Sequence, residues 1–145
     1  MTIFEALRED HERQRSLMTR LAETEGAEDT RDALFRELKA ELAHHAASEE
    51  KYFYSELMAI EMTIDKARHS VAEHKELDDR VEELEATDYS SPQWLIRFKE
   101  LQHRVAHHLE EEEREVFQLA GKALDEQQKT SLAEGYRADM EKRRQ

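Results

Sequence analysis

The chain has 145 residues, of which 39% are charged and 38% hydrophobic, and a net charge of −13. It has no cysteine, which excludes disulfides, zinc fingers and thiolate-held iron–sulfur clusters, and its acidity argues against nucleic acid, whose phosphates it would repel. Three glycines and one proline leave little punctuation for a many-stranded β fold, and no apolar run nears the roughly 20 residues of a membrane span.

The predicted elements are helices. Thr2 and Glu5 read as a capping box opening the first, whose inward stripe is Phe4, Leu7, His11, Met18 and Leu21. A turn falls at Glu25, Gly26 and Ala27, with Asp29 or Thr30 capping the second helix. That helix carries the stripe Leu34, Leu38, Leu42, His45, Glu49, Phe53, Leu57 and Ile60. Between Ala59 and Asp65 no glycine or proline marks the junction, and Thr63 is the expected cap. The third stripe is Ile64, Ala67, Val71, His74, Leu77, Val81 and Leu84. Ser91 and Pro92 read as the cap and first position of the fourth helix, with Trp94, Phe98, Leu101, Val105, His108, Glu112, Val116 and Leu119 inward and Gly121 as the stop. Steps of three and four residues predict amphipathic helices, and four of them an all-α, antiparallel up-down bundle over residues 1–121. Residues 122–145 form a tail, possible as a short fifth helix through Leu132, Tyr136 and Met140 that frays at its basic end. Lys142, Arg143 and Arg144 there complement a helix dipole. Met1 to Asp10 holds no basic stretch followed by an apolar one, so a cytoplasmic protein is expected.

Each apolar stripe contains a histidine, and two contain a glutamate as well. Ionised carboxylates are almost never fully buried unless paired or bound to a metal. An internal repeat sharpens the pattern: HHAASEEKYFY from His44 returns as HHLEEEEREVF from His107, 63 residues on, and Asp10-His11-Glu12 returns as Glu73-His74-Lys75. His11 thus matches His74, His45 matches His108, and Glu49 matches Glu112. His45 and Glu49, like His108 and Glu112, stand four residues apart on one helix face. His44 lacks such a partner, since Ser48 lies four residues on, so the repeat selects His45 and His108 over His44 and His107. His44 and His107 then read as solvated or supporting residues.

Four imidazoles and two carboxylates suit a pair of transition-metal ions, because nitrogen donors favour iron, manganese or zinc over calcium or magnesium. Two bridging glutamates, two histidines per ion and a shared oxo or hydroxo oxygen leave an open position on each ion for a small molecule.

The pattern H…HxxxE…H…HxxxE, with a second Glu after each paired one and an aromatic a turn later, resembles the hemerythrin-like (HHE cation-binding) family from about Thr2 to Leu119. The resemblance implies a four-helix bundle with two iron ions, oxo- or hydroxo-bridged, that react with dioxygen or related molecules. It carries over His11, His45, Glu49, His74, His108 and Glu112 as metal ligands. Oxygen carriers of the family add a fifth histidine one turn from the third-helix ligand, where this chain has Ser70 and Asp78. His69 after a local bulge, an oxygen of Asp78, or water stand as replacements. Tyr52, seven residues after His45, and Tyr54, at the family's aromatic position, can place phenols near the metals, although packing with a wet hydroxyl explains both. Glu50 and Glu113 either hydrogen-bond a ligand imidazole or sit at the surface, with at least one expected at the surface. Three functions stay open: binding or sensing dioxygen or a similar diatomic, decomposing peroxide as an oxidoreductase, and iron handling or a structural metal role. No nucleic-acid or membrane partner is expected.

Overall fold

The computed structural model describes residues 1–145 as five helices without strands. Helix α1 spans Ile3–Ala22, opened by the Thr2 capping box, in which Thr2 Oγ1 accepts from the Glu5 amide and Glu5 accepts from that of Thr2. Such caps contribute about 1 kcal/mol. Gly26, at φ 55°, makes the following turn in a conformation that costs a glycine nothing. Helix α2 begins at Asp29 and is preceded by Glu28, whose side chain makes no capping bond; neither Asp29 nor Thr30 is the cap. Its regular part is Asp29–Glu49, followed by a π-helical turn, Glu50–Tyr54, and a last α segment, Ser55–Leu57. Thr63 precedes α3, Ile64–Glu85, and its buried hydroxyl donates to the Leu57 carbonyl, tying the unmarked junction to the end of α2. Ser91 caps α4 with Pro92 at its first position. Helix α4 runs Pro92–Glu111, then a π turn, Glu112–Val116, then Phe117–Ala123. It passes through Gly121 and stops only where Leu124 turns extended.

Helix α5, Glu126–Arg144, is neither short nor frayed. Asp125 and Gln128 form its capping box, and Ala133, Tyr136 and Met140 are buried against the bundle. Its basic end is held by ion pairs: Arg144 reaches Asp10 and Glu41, and Arg143 reaches Asp139. Gly135 lies so close to the Tyr52 ring that a Cβ there would sit 2.7 Å from a ring carbon, so the missing side chain lets α5 seat against α2.

The apolar side chains form two clusters. One gathers Leu7, Phe53, Leu57, Ala67, Val116, Phe117 and the inner face of α5. The other gathers Leu17, Leu21, Leu38, Leu77, Leu84, Trp94 and Phe98. From Leu7 to Leu17, α1 runs from the first cluster to the second; α2 runs back, α3 forward and α4 back, giving the up-down bundle. Between the clusters, each of these four helices contributes histidine to a buried polar layer.

Both π turns begin at this layer. A π turn closes its hydrogen bonds over five residues rather than four and so takes in one extra residue. The amide of Ser55 accordingly donates to the Glu50 carbonyl and that of Phe117 to the Glu112 carbonyl. The helix phase shifts by one position beyond each. Phe53 and Tyr54 are both buried, as are Val116 and Phe117, whereas Leu119, expected inward, is only half-buried.

Candidate metal centre

His11 on α1, His45 and Glu49 on α2, His74 on α3, and His108 and Glu112 on α4 come together in the polar layer, all buried. Their donor atoms form two groups that share both carboxylates: His11, His45, Glu49 and Glu112 in one, and His74, His108, Glu49 and Glu112 in the other. Glu49 turns Oε2 to His45 Nε2 at 3.6 Å and Oε1 to His74 Nε2 at 3.2 Å. Glu112 turns Oε1 to His11 Nε2 at 3.0 Å and Oε2 to His108 Nε2 at 3.8 Å. Each carboxylate therefore straddles the two histidine pairs, as a bridging ligand must.

The other ring nitrogen of every histidine faces a fixed partner. Nδ1 of His11 donates to Glu113 at 2.6 Å, that of His74 to Glu50 at 2.7 Å, and that of His108 to Glu73 at 2.7 Å. Nδ1 of His45 donates to the Tyr136 hydroxyl at 2.6 Å, and that hydroxyl donates in turn to Asp10. A proton held at Nδ1 leaves the Nε2 lone pair pointing inward, the tautomer a metal requires. Glu50 and Glu113 thus both support a ring, and neither is a purely surface acid.

Inside the layer, hydrogen bonding is incomplete. Nε2 of His11, His45 and His108, both oxygens of Glu49 and Oε1 of Glu112 are buried without a hydrogen-bond partner. A buried polar group left unsatisfied costs about 1–3 kcal/mol, and more when charged. Six such atoms converging on one point are intelligible as metal donors. The donor set, imidazole nitrogen plus bridging carboxylate oxygen, fits transition-metal ions.

The charges agree. Burial, and then the facing Glu112, push Glu49 well above the usual carboxylate range. Burial alone would lower His11, but the Glu112 and Glu113 carboxylates outweigh it and push it up to about 9. Burial and the neighbouring imidazoles hold His45 well below the ordinary histidine value. Without a cation the layer must carry protons to balance its carboxylates; a multivalent ion removes that need.

Tyr54 also reaches the layer. Five residues beyond Glu49, it would lie about 140° away on a regular α-helix, but the π turn brings it back to the same face. Its ring is fully buried and its hydroxyl donates to Glu112 Oε2, so the wet hydroxyl expected from sequence is instead a dry one inside the site. Burial and the two carboxylates raise its pKa well above the usual phenol value. Tyr52, by contrast, is half-buried against Gly135 and lies under the Lys51 ammonium.

His69 and Asp78 are exposed and outside both donor groups. His69 Nε2 lies 3.4 Å from Glu73 and 3.2 Å from Glu111 on the outer face, and His107 pairs with Glu111 there as well. His44 is half-buried and makes no hydrogen bond.

Two residues beside the site were not singled out as such by the sequence. Tyr136 lies in the weakly periodic tail. Gln14 is 1% exposed, and its amide nitrogen has no hydrogen-bond partner. It lines a cavity of about 20 Å³ with His45, His74, His108, Leu42, Val81 and Val105, and a lone glutamine between apolar stripes announces nothing.

The family model for the hemerythrin HHE cation binding domain matches residues 2–120, and the chain belongs to that family. The crystal structure of a hemerythrin HHE cation binding domain-containing protein from Mycobacterium kansasii has the same fold. It aligns with a TM-score of 0.91 at 26% identity, covering 99% of this chain and 88% of that one. No curated relative matches. No helix is long and apolar enough to cross a membrane.

Proposed function

We propose that the protein holds two iron ions between Glu49 and Glu112, with His11 and His45 on one ion and His74 and His108 on the other, and that the pair acts on dioxygen or a peroxide. The observation that carries this reading is the straddling of both histidine pairs by two buried carboxylates, of which both Glu49 oxygens and Glu112 Oε1 have no hydrogen-bond partner. When bound, the iron pair supplies a two-electron couple at a position open to a small molecule. The chain's own residues supply everything else.

The surroundings restrict the substrate. A cavity of about 20 Å³ admits one water-sized or diatomic molecule and excludes organic substrates. Its wall is mostly apolar, with Leu42, Val81, Val105 and Leu109, and includes the exposed Asp78, while the unpartnered Gln14 amide offers a hydrogen bond to whatever enters. Tyr54, on Glu112 and beside His74, is the candidate extra oxygen ligand on the His74–His108 side; His69 pairs with acids on the outer face, and the exposed Asp78 lines the cavity.

Tyr54 also favours a second reading, decomposition of peroxide. Reversible carriage calls for a dry pocket without a proton donor, and this phenol holds a proton on a bridging carboxylate. Disproportionation of two hydrogen peroxide molecules to two waters and one dioxygen moves two protons, and the Tyr54 hydroxyl keeps one proton on Glu112 within the layer. Reducing the iron-loaded protein without air and then adding dioxygen or peroxide separates the two readings. A band that appears with dioxygen and vanishes on degassing supports binding or sensing; gas evolved over many turnovers supports the enzyme. A spectrum that responds to neither reagent overturns both.

A further inference from the structure

The internal repeat extends to the residues behind the ligands, and it fails at one place. Glu113, behind His11, is the repeat counterpart of Glu50, behind His74. Glu73, behind His108, has Asp10 as its counterpart, so symmetry places Asp10 directly behind His45. Asp10 is one methylene shorter than Glu73 and does not make that contact. The Tyr136 hydroxyl stands between them, accepting from His45 Nδ1 at 2.6 Å and donating to Asp10 Oδ2. Arg144, two turns further along α5, holds the other Asp10 oxygen at 2.7 Å and Glu41 at 2.8 Å. Tyr136 is 1% exposed, and α5 lies outside both the repeat and the residues that the family model matches.

We infer that Tyr136 is a positioning residue for His45, and that through it the fifth helix makes the two metal positions unequal. Three ligand imidazoles are backed by carboxylates, which draw the Nδ1 proton away and strengthen Nε2 as a donor. His45 is backed by a neutral phenol and is the weaker donor. The ion between His11 and His45 is therefore the more weakly held, and its site is complete only when α5 is docked. The inference rests on the two-ion reading above.

The test is Co²⁺ binding by the full-length chain, measured by competition with a chelator, with amide exchange followed along Glu126–Arg144. Tyr136→Phe keeps the ring and its packing but removes the hydroxyl; supporting partners of this kind are worth about 10–100-fold in metal affinity. We expect the weaker of two ions to lose at least about 10-fold, with the tighter ion unchanged and α5 still protected. Asp10→Glu with Tyr136→Phe gives the first half the carboxylate that Glu73 gives the second, and should recover the loss. Tyr89→Phe, which removes a phenol hydrogen bond to Asp32 at the far end of the bundle, should change neither ion. Equal loss of both ions, no loss, or no recovery in the double variant overturns the inference. Failure of the unmodified chain to bind two ions overturns the two-ion reading instead.

Discussion

At the scale of single residues, the two neighbouring histidines of α2 show how narrowly the site is specified. His45 points Nε2 inward and Nδ1 at Tyr136, whereas His44, about 100° around the helix, touches no donor group. Replacing His45 or Glu49 by alanine should drop bound metal below two ions per chain by elemental analysis and weaken the near-ultraviolet absorption of the iron-loaded protein. His44→Ala should leave both close to normal. Equal metal loss in His44→Ala and His45→Ala would mean that the helix register is wrong. The choice of His45 over His44 was legible because Ser48 cannot serve as a carboxylate. Tyr54 was legible as a residue of interest but not in its role. Its position depends on a π turn that no residue type announces, and the matching π turn of α4 is why Leu119, expected inward, is only half-buried.

At the scale of elements, α5 is held by a few apolar residues and by close fit. Its inner face offers Ala133, Tyr136 and Met140, and its closest approach is Gly135 against the Tyr52 ring. Gly135→Ala would raise helix propensity by up to about 1 kcal/mol, yet it places a methyl within 2.8 Å of two ring carbons. Overpacking of that kind costs about 1–3 kcal/mol, so the net effect should be destabilising. Amide exchange should speed up in Glu126–Arg144 before it does in the other helices. An unchanged or raised melting temperature would show that the Tyr52 ring simply swings aside. The tail's weak periodicity concealed all this, because a helix anchored by one glycine, one phenol and one terminal arginine needs few apolar positions.

At the scale of the whole molecule, the bundle encloses a layer of charge between two apolar clusters, which the proposed ions would neutralise. Removing metal with a chelator should lower the melting temperature by roughly 8–16 °C, since a ligand at a thousand times its Kd contributes about 4 kcal/mol and 1 kcal/mol moves a domain of this size by about 2–4 °C. The metal-free protein should also respond to pH. His11 has its folded-state pKa raised to about 9, above its ordinary value near 6.5. The stability it contributes is complete below about pH 6.5 and lost as pH rises through about 9. The melting temperature of the metal-free form should therefore fall across that window, while that of the loaded form, whose His11 is already deprotonated at Nε2, should not. A flat profile for the metal-free form would contradict the account.

The sequence by itself determined the four bundle helices, their inward faces as far as the π turns, and the six residues that meet in the centre, and its motif carried the resemblance to the family. The helices and the central residues follow from periodicity and from a repeat of 63 residues, and both are written along the chain. Only the tertiary structure decided what stands behind those residues. Glu113 to His11, Tyr136 to His45 and Arg144 to Asp10 are contacts across 102, 91 and 134 positions. No local pattern encodes a hydrogen bond between side chains so far apart. It arises when packing brings together helices whose separate sequences do not refer to one another.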